Sequence, residues 1–210
     1  MITEQELIKI KEAVQVIKNG GIVVYPTETA YGLGVDATNP EALDKLYKLK
    51  GMPFIKPTHI AVLNIEEASK YVVVDTRARA LAKIFLPGPL TLVLPPRSIL
   101  PIILCNKDDN SLGVRIPNHK VAQKLLELVG VPITATSANK HGSPTTYSLN
   151  EIKQSFGNDF SKIDCVLDAG ELPHATPSTL VSLMTLKPKI LRQGQISLGE
   201  IMKVLNQILR

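Results

Sequence analysis

Apolar positions recur along this chain in two rhythms, one helical and one extended. Near the amino end, Leu7, Ile10, Val14 and Ile17 fall on one helical face. Thr3-Glu4-Gln5-Glu6 opens that helix as a capping box, and Gly20-Gly21 stops it. Leu43, Leu46 and Tyr47 repeat the spacing after Asn39-Pro40, an N-cap followed by proline at the first helical position, and Gly51 closes the helix. Capping boxes recur at Ser148–Glu151 and at Ser197–Glu200, the second opening a C-terminal helix through Ile201, Val204, Leu205 and Ile208. Two further helices are predicted over 76–85 and 120–129. Between them, short β-rich runs predict strands at 21–24, 60–63, 91–94, 113–116, 133–136, 165–167, 180–183 and 189–191. Strands and helices interleave throughout, which predicts an α/β fold. Their irregular spacing favours a mixed sheet over a purely parallel one. With no repeat and no interdomain linker, residues 1–210 read as one domain.

Composition narrows the picture. At 210 residues and 44% hydrophobic the chain can bury one sizeable core. Aromatics make up only 4% and Trp is absent, so Ile, Leu and Val must build that core, and a base-stacking surface is disfavoured. The net charge of +5, with a pI of about 9.1, suits phosphate-bearing ligands or RNA. Cys105 and Cys165 lie far apart and read as free thiols, while His59, His119, His141 and His174 are scattered without metal-ligand spacing and read as surface or packing residues. No metal site is expected. The opening Met-Ile-Thr-Glu-Gln-Glu lacks the basic and apolar regions of a signal peptide, and no run approaches the roughly 20 apolar residues of a membrane span. A cytoplasmic protein without membrane contact is the expectation.

Candidate chemistry collects where predicted strands begin or end. Tyr25-Pro26-Thr27-Glu28-Thr29-Ala30-Tyr31-Gly32-Leu33-Gly34 follows the first apolar run as a polar turn, with Gly32 and Gly34 where backbone must approach something closely. Loops at the carboxyl ends of α/β strands commonly hold ligands, so this stretch reads as a binding loop. The block from Lys48 to Pro57 sets Lys50 at a helix end and Lys56 in a proline-bounded loop; such ammonium groups suit a polyphosphate, or merely complement the helix dipole. Pro87-Gly88-Pro89-Leu90-Thr91 is a rigid turn into a strand. In Ser111-Leu112-Gly113-Val114-Arg115-Ile116-Pro117 an arginine sits within an apolar strand, where burial demands a carboxylate or phosphate, either a ligand's or that of Glu28. Thr134-Ala135-Thr136-Ser137-Ala138-Asn139 ends a strand in hydroxyls and an amide. Pro177-Ser178-Thr179 precedes a strand, and Leu191-Arg192-Gln193-Gly194 follows one. Each block alone admits a structural reading. Together they predict a shared pocket.

In this order, Pro26–Gly34, Lys50 with its proline-rich sequel, Pro87–Thr91, Val114–Pro117, Thr136–Asn139, Pro177–Thr179 and Arg192–Gly194 resemble the YrdC-like domain over about residues 10–200. The resemblance implies a twisted, open mixed α/β sheet with a positively lined concave face. It also implies the activity of threonylcarbamoyl-AMP synthases, nucleotidyltransferases that join L-threonine, bicarbonate and ATP, release pyrophosphate and supply the t6A modification of tRNA. By matching position, Thr29, Arg115, Thr136, Ser137, Ser178 and Thr179 are implied to hold threonine. Lys50, Lys56, Ser111, Asn139 and Arg192 are implied to hold ATP, with Lys50, Ser137 and Asn139 as the catalytic set. Mg²⁺ is expected through the nucleotide phosphates. Partners implied are tRNA or double-stranded RNA and the proteins that transfer the t6A group. One departure stands out: the family's synthases carry Lys-x-Arg where this chain has Lys50-Gly51-Met52, with Lys48 and Lys56 the nearest substitutes. The alternatives are a YciO-like paralogue that binds or hydrolyses an adenylate, and a double-stranded RNA-binding module.

Overall fold

The computed structural model describes residues 2–53 and 56–208; Phe54 and Ile55, inside the Lys48–Pro57 block, lie outside the described residues. Helix α1 (Glu4–Lys18) starts where expected, with the Thr3 hydroxyl accepting from the Glu6 amide and the Glu6 carboxylate accepting from the Thr3 amide. The chain continues through β1 (Val23–Pro26), β2 (Tyr31–Gly34), α2 (Pro40–Lys50), β3 (Ile60–Ala61), α3 (Ile65–Tyr71), α4 (Thr76–Phe85) and β4 (Leu90–Leu94). It ends with β5 (Leu112–Arg115), α5 (Lys120–Val129), β6 (Ile133–Thr134), β7 (Thr136–Ser137), α6 (Leu149–Phe156), β8 (Cys165–Val166), β9 (Thr179–Ser182), β10 (Lys189–Arg192) and α7 (Leu198–Ile208).

The strands form two mixed sheets, one ordered β7-β2-β1-β8 and the other β10-β9-β4-β5-β3-β6. Parallel pairings β1/β8, β3/β5 and β4/β9 sit among antiparallel ones, as the irregular spacing predicts. Helices α1 and α5 bury Ile10, Ala13, Val14 and Ile17 with Val121, Leu125, Leu126 and Val129 against β1. Each such aliphatic side chain contributes about 1.5–3 kcal/mol on leaving water. A second cluster, built around Leu33, Leu43, Leu46, Leu81, Leu90, Leu92 and Val114, fills the interior on the other side.

Three expectations change. Tyr25–Gly34 is not one loop: β1 and β2 pair as a hairpin in the register Val23↔Gly34 to Pro26↔Tyr31, leaving a tight turn over 27–30. The run 133–136 is not one strand. Its first half pairs with β3 in the larger sheet and its second half with β2 in the smaller one, the switch falling at Ala135, whose amide donates to the His59 carbonyl at 2.7 Å. Helix α3, absent from the sequence reading, follows an Asn64 N-cap whose side chain accepts from the Glu67 amide. The crossing at Ala135 brings the two sheets edge to edge, and the site forms there.

Candidate functional site

A cavity of about 210 Å³ lies between the sheets, lined by Thr27, Thr29, His59, Thr91, Arg115, Thr136, Ser137, Tyr147, Pro177, Ser178 and Arg192 among others. Its first wall is the hairpin turn. The Thr27 hydroxyl donates to the Ala30 carbonyl at 2.6 Å and accepts from the Thr29 and Ala30 amides, so its capacity is spent on shaping the turn. The Thr27 and Thr29 hydroxyls also lie 3.1 Å apart. Gly32 and Gly34 are required for a reason other than the one expected. A Cβ on either would stand about 3.0–3.1 Å from the Tyr25 ring, so the close approach is made by the protein's own tyrosine. Burial pushes the Tyr25 phenol well up, and it donates to the Thr134 carbonyl.

Arg115 crosses to that wall from β5. Its Nη2 donates to Glu28 Oε1 at 2.9 Å and to the Thr29 hydroxyl, while Glu28 Oε2 accepts from the Asn118 amide. Both members of the pair are mostly buried, at 14% and 16% side-chain exposure. The internal salt bridge weighed from the sequence therefore exists. It does not use the whole guanidinium: Nε is buried without a hydrogen-bond partner, alone in this among the described side-chain atoms. An orphan donor of this kind costs about 1–3 kcal/mol unless a ligand supplies an acceptor.

The opposite wall is built by 177–179 and β10. Arg192 donates through Nε and Nη2 to the Ser178 carbonyl, and through Nη2 to its hydroxyl at 3.0 Å; that hydroxyl also pairs with Thr91 at 2.9 Å. No carboxylate pairs with Arg192 among the described residues, so its charge is available to an anion. Thr179 departs from its expected role. Its hydroxyl donates to the Ile196 carbonyl and accepts from the Gly194 and Ile196 amides, and the residue does not line the cavity. It fixes the 194–196 segment instead of touching a ligand.

Lys50, Ser137 and Asn139 are brought together, though not as a free phosphate clamp. The Lys50 ammonium is 4% exposed and donates to the carbonyls of Ser137 and Asn139 at 2.5 and 2.7 Å; burial lowers its pKa to about 8. The Ser137 hydroxyl donates to Asn139 Oδ1, and Asn139 Nδ2 to the Ser143 carbonyl. Of the three, only Ser137 lines the cavity. Ser111 is buried at the far end of β5 from Arg115 and lies outside the cavity lining. Lys56 is exposed beside Pro57, which does line it. Met52 is half-buried, and Lys48 pairs with Asp44 on the outer face of α2.

Sequence reading missed His59. It lines the cavity with its ring in the space a Gly113 side chain would occupy, since a Cβ there would stand 2.3 Å from its Cδ2. Burial, then Arg192 and Arg115, hold its pKa down to about 4. The only sequence signal was its place at the entry to a predicted strand, the same kind of position that flagged the other blocks.

Comparison with known proteins agrees with this geometry. The family model described as Telomere recombination (Sua5/YciO/YrdC) matches residues 15–194. The chain is 38% identical over 201 residues to the threonylcarbamoyl-AMP synthase of Pyrococcus abyssi, covering 95% of this chain and 58% of that protein. It is 30% identical over 186 residues to Escherichia coli YciO, an uncharacterized protein, covering 88% of each. The crystal structure of P. abyssi Sua5 complexed with L-threonine superposes at a TM-score of 0.88 with 37% identity, over 95% of this chain and 58% of that one. E. coli YciO superposes at 0.83 with 28% identity, over 93% of both. The chain thus spans somewhat under three fifths of the Pyrococcus synthase and nearly all of YciO.

Proposed function

The chain belongs to the Sua5/YciO/YrdC family, and on that premise we propose that its cavity forms threonylcarbamoyl-AMP from L-threonine, bicarbonate and ATP. The observation that carries this reading is the buried, unpartnered Nε–H of Arg115 in a hydroxyl-lined cavity, with a relative that binds L-threonine. A carboxylate there completes the arginine's fork, and Thr29, Thr136, Ser137 and Ser178 surround it with hydroxyls. Arg192, cationic and without a carboxylate partner among the described residues, faces the same space and suits the nucleotide phosphates, a role to which we also assign Lys50, Asn139, Ser111 and Lys56.

The amine adds to CO₂ or bicarbonate to give a carbamate, whose oxygen then attacks the α-phosphorus of ATP as pyrophosphate leaves. This is nucleotidyl transfer without a covalent enzyme intermediate, and it rests on positioning and charge neutralisation. Among the described residues no three His, Cys, Asp or Glu side chains cluster as a metal site. Mg²⁺ brought by the nucleotide would supply charge neutralisation on its phosphates. The product is the group donor for t6A in tRNA, so its takers are tRNA-modifying proteins. Among the described residues no helix is long and apolar enough to cross a membrane.

Met52 and the near-full-length match to YciO favour a second reading, a paralogue that binds or hydrolyses an adenylate without making it efficiently. Purified protein with threonine, bicarbonate and Mg-ATP distinguishes them. The synthase reading expects pyrophosphate release that depends on threonine and bicarbonate, with threonylcarbamoyl-AMP detected by mass. Met52→Arg restores one charge-assisted phosphate contact, and about ten- to a hundredfold faster synthesis is expected from it. Adenylate hydrolysis without synthesis in either protein would leave the paralogue reading standing.

A further inference from the structure

We infer that His59 contacts the reacting amine of the bound amino acid and takes its proton as the carbamate forms. This rests on the threonylcarbamoyl-AMP reading of the cavity but adds a residue that the sequence blocks did not supply. Three observations carry it.

The first is placement. His59 sits at the mouth of β3, and its carbonyl is tied to Ala135 at the point where the chain passes from one sheet to the other. Its ring lies over Gly113 and lines the same space as Arg115, Ser137 and Ser178. The second is availability. Neither ring nitrogen has a hydrogen-bond partner among the described residues, whereas Thr27, Thr29, Ser137, Ser178 and Arg192 in the same cavity all bond to the protein. A neutral imidazole offers one lone pair and one N–H. The third is charge. The charged groups acting on the ring are Arg192 from β10 and Arg115 from β5, the latter itself paired with Glu28.

Burial first, and then these cations, keep the imidazole neutral, with a pKa of about 4, so at neutral pH its lone pair is open to a proton. An amino acid whose carboxylate rests on Arg115 still needs an acceptor for its amino group. The two arginines offer none, and the lining hydroxyls accept only weakly, whereas His59 brings a basic lone pair. Once the ammonium has given one proton to solvent, the nitrogen lone pair bonds to the carbon of CO₂, the electrons of one C=O bond move to oxygen, and the nitrogen must shed a second proton. That proton passes to His59 and then to solvent through the cavity mouth, leaving an anionic carbamate. The N–H acidity rises steeply as the N–C bond forms, so a weak base suffices. The substrate carboxylate also offsets one of the cations that hold His59 neutral, which strengthens the base when it is needed.

The test combines NMR of the wild-type protein with two variants. The chain has four histidines, so the imidazole signals are few, and His59 is assigned by its loss in His59→Gln. On saturation with L-threonine, the His59 ring signals shift while those of the other three stay still. In His59→Gln, whose amide oxygen accepts an N–H but cannot take a proton, threonine affinity stays within about threefold and kcat for pyrophosphate release falls about a hundredfold. In His59→Leu both affinity and kcat fall. Threonine binding that leaves the His59 signals unmoved overturns this inference alone, as does wild-type kcat in His59→Gln. A wild-type protein that binds no threonine overturns the proposed function, and this inference with it.

Discussion

Charge inside the cavity decides what each residue there can do. Arg115 was legible from the sequence because a cation in an apolar strand must find a partner, and the Glu28 reading of that partner holds: Glu28 takes Nη2, and Nε is left over. His59 was not legible, because a lone histidine beside a strand has no spacing signature. Its meaning depends on Gly113 making room for it and on two arginines that lie far away in sequence. Thr179 failed the other way. It sits in a block that reads as ligand-binding, yet its hydroxyl is consumed by three backbone partners. The orphan Nε gives a sharp prediction. Arg115→Lys keeps a cation near Glu28 but removes the planar fork, so threonine affinity should fall about ten- to a hundredfold while the fold survives. Calorimetric titration with threonine measures this, and unchanged affinity would show that the carboxylate binds elsewhere.

Elements were legible where a chemical stop or start marked them. Capping residues gave the starts of α1, α2, α6 and α7, and Gly51 in the left-handed conformation ends α2 as expected. Strand β2 was missed because Tyr-Gly-Leu-Gly lacks β-branched residues and is buried at all four positions, so it shows no alternation. Helix α3 was missed because only Ala68 and Tyr71 of its seven residues are buried, too few to draw a stripe; its Asn64 cap was the available signal. The switch at Ala135 cannot be read from Ile133–Ser137, which looks like one strand until two different sheets claim its halves. Close contacts between elements also constrain the second wall. A Cβ on Gly194 would stand 2.2 Å from the Pro177 carbonyl oxygen and 2.5 Å from Thr179 N, both backbone atoms. Gly194→Ala must therefore push β10 away from 177–179 and carry Arg192 off Ser178. A stability loss of about 1–3 kcal/mol in urea denaturation is expected, with weaker nucleotide binding but near-normal threonine binding. Loss of threonine binding alone would contradict this division of the walls.

For the molecule as a whole, the mixed strand pairing and the interleaved helices followed from the patterns of apolar residues, whereas the division of the one expected sheet into two and their edge-to-edge meeting did not. That meeting gathers several cationic or titratable groups of a +5 chain into one poorly hydrated region, and this has a consequence for global stability. Lys50 is the clearest case, being buried with its ammonium held, among the described residues, by the carbonyls of Ser137 and Asn139. Burial lowers its pKa in the folded state from 10.5 to about 8. Below pH 8 both folded and unfolded chains carry the proton, and folding bears the full desolvation cost. Between about 8 and 10.5 the unfolded chain binds more protons at this site than the folded one, so stability rises with pH across that window. At 1.36 kcal/mol per unit the full swing is about 3 kcal/mol, less whatever the two carbonyls recover. Lys50→Met removes the titration along with the hydrogen bonds. Denaturant midpoints of the two proteins, measured at intervals from pH 7.5 to 10, should show a difference that moves in favour of the wild-type as pH rises, because the other tyrosines and lysines titrate in both. A difference that stays flat with pH would mean that Ser137 and Asn139 solvate the ammonium as well as water does. Lys50 would then sit beside the nucleotide half of the site as a full charge at every working pH.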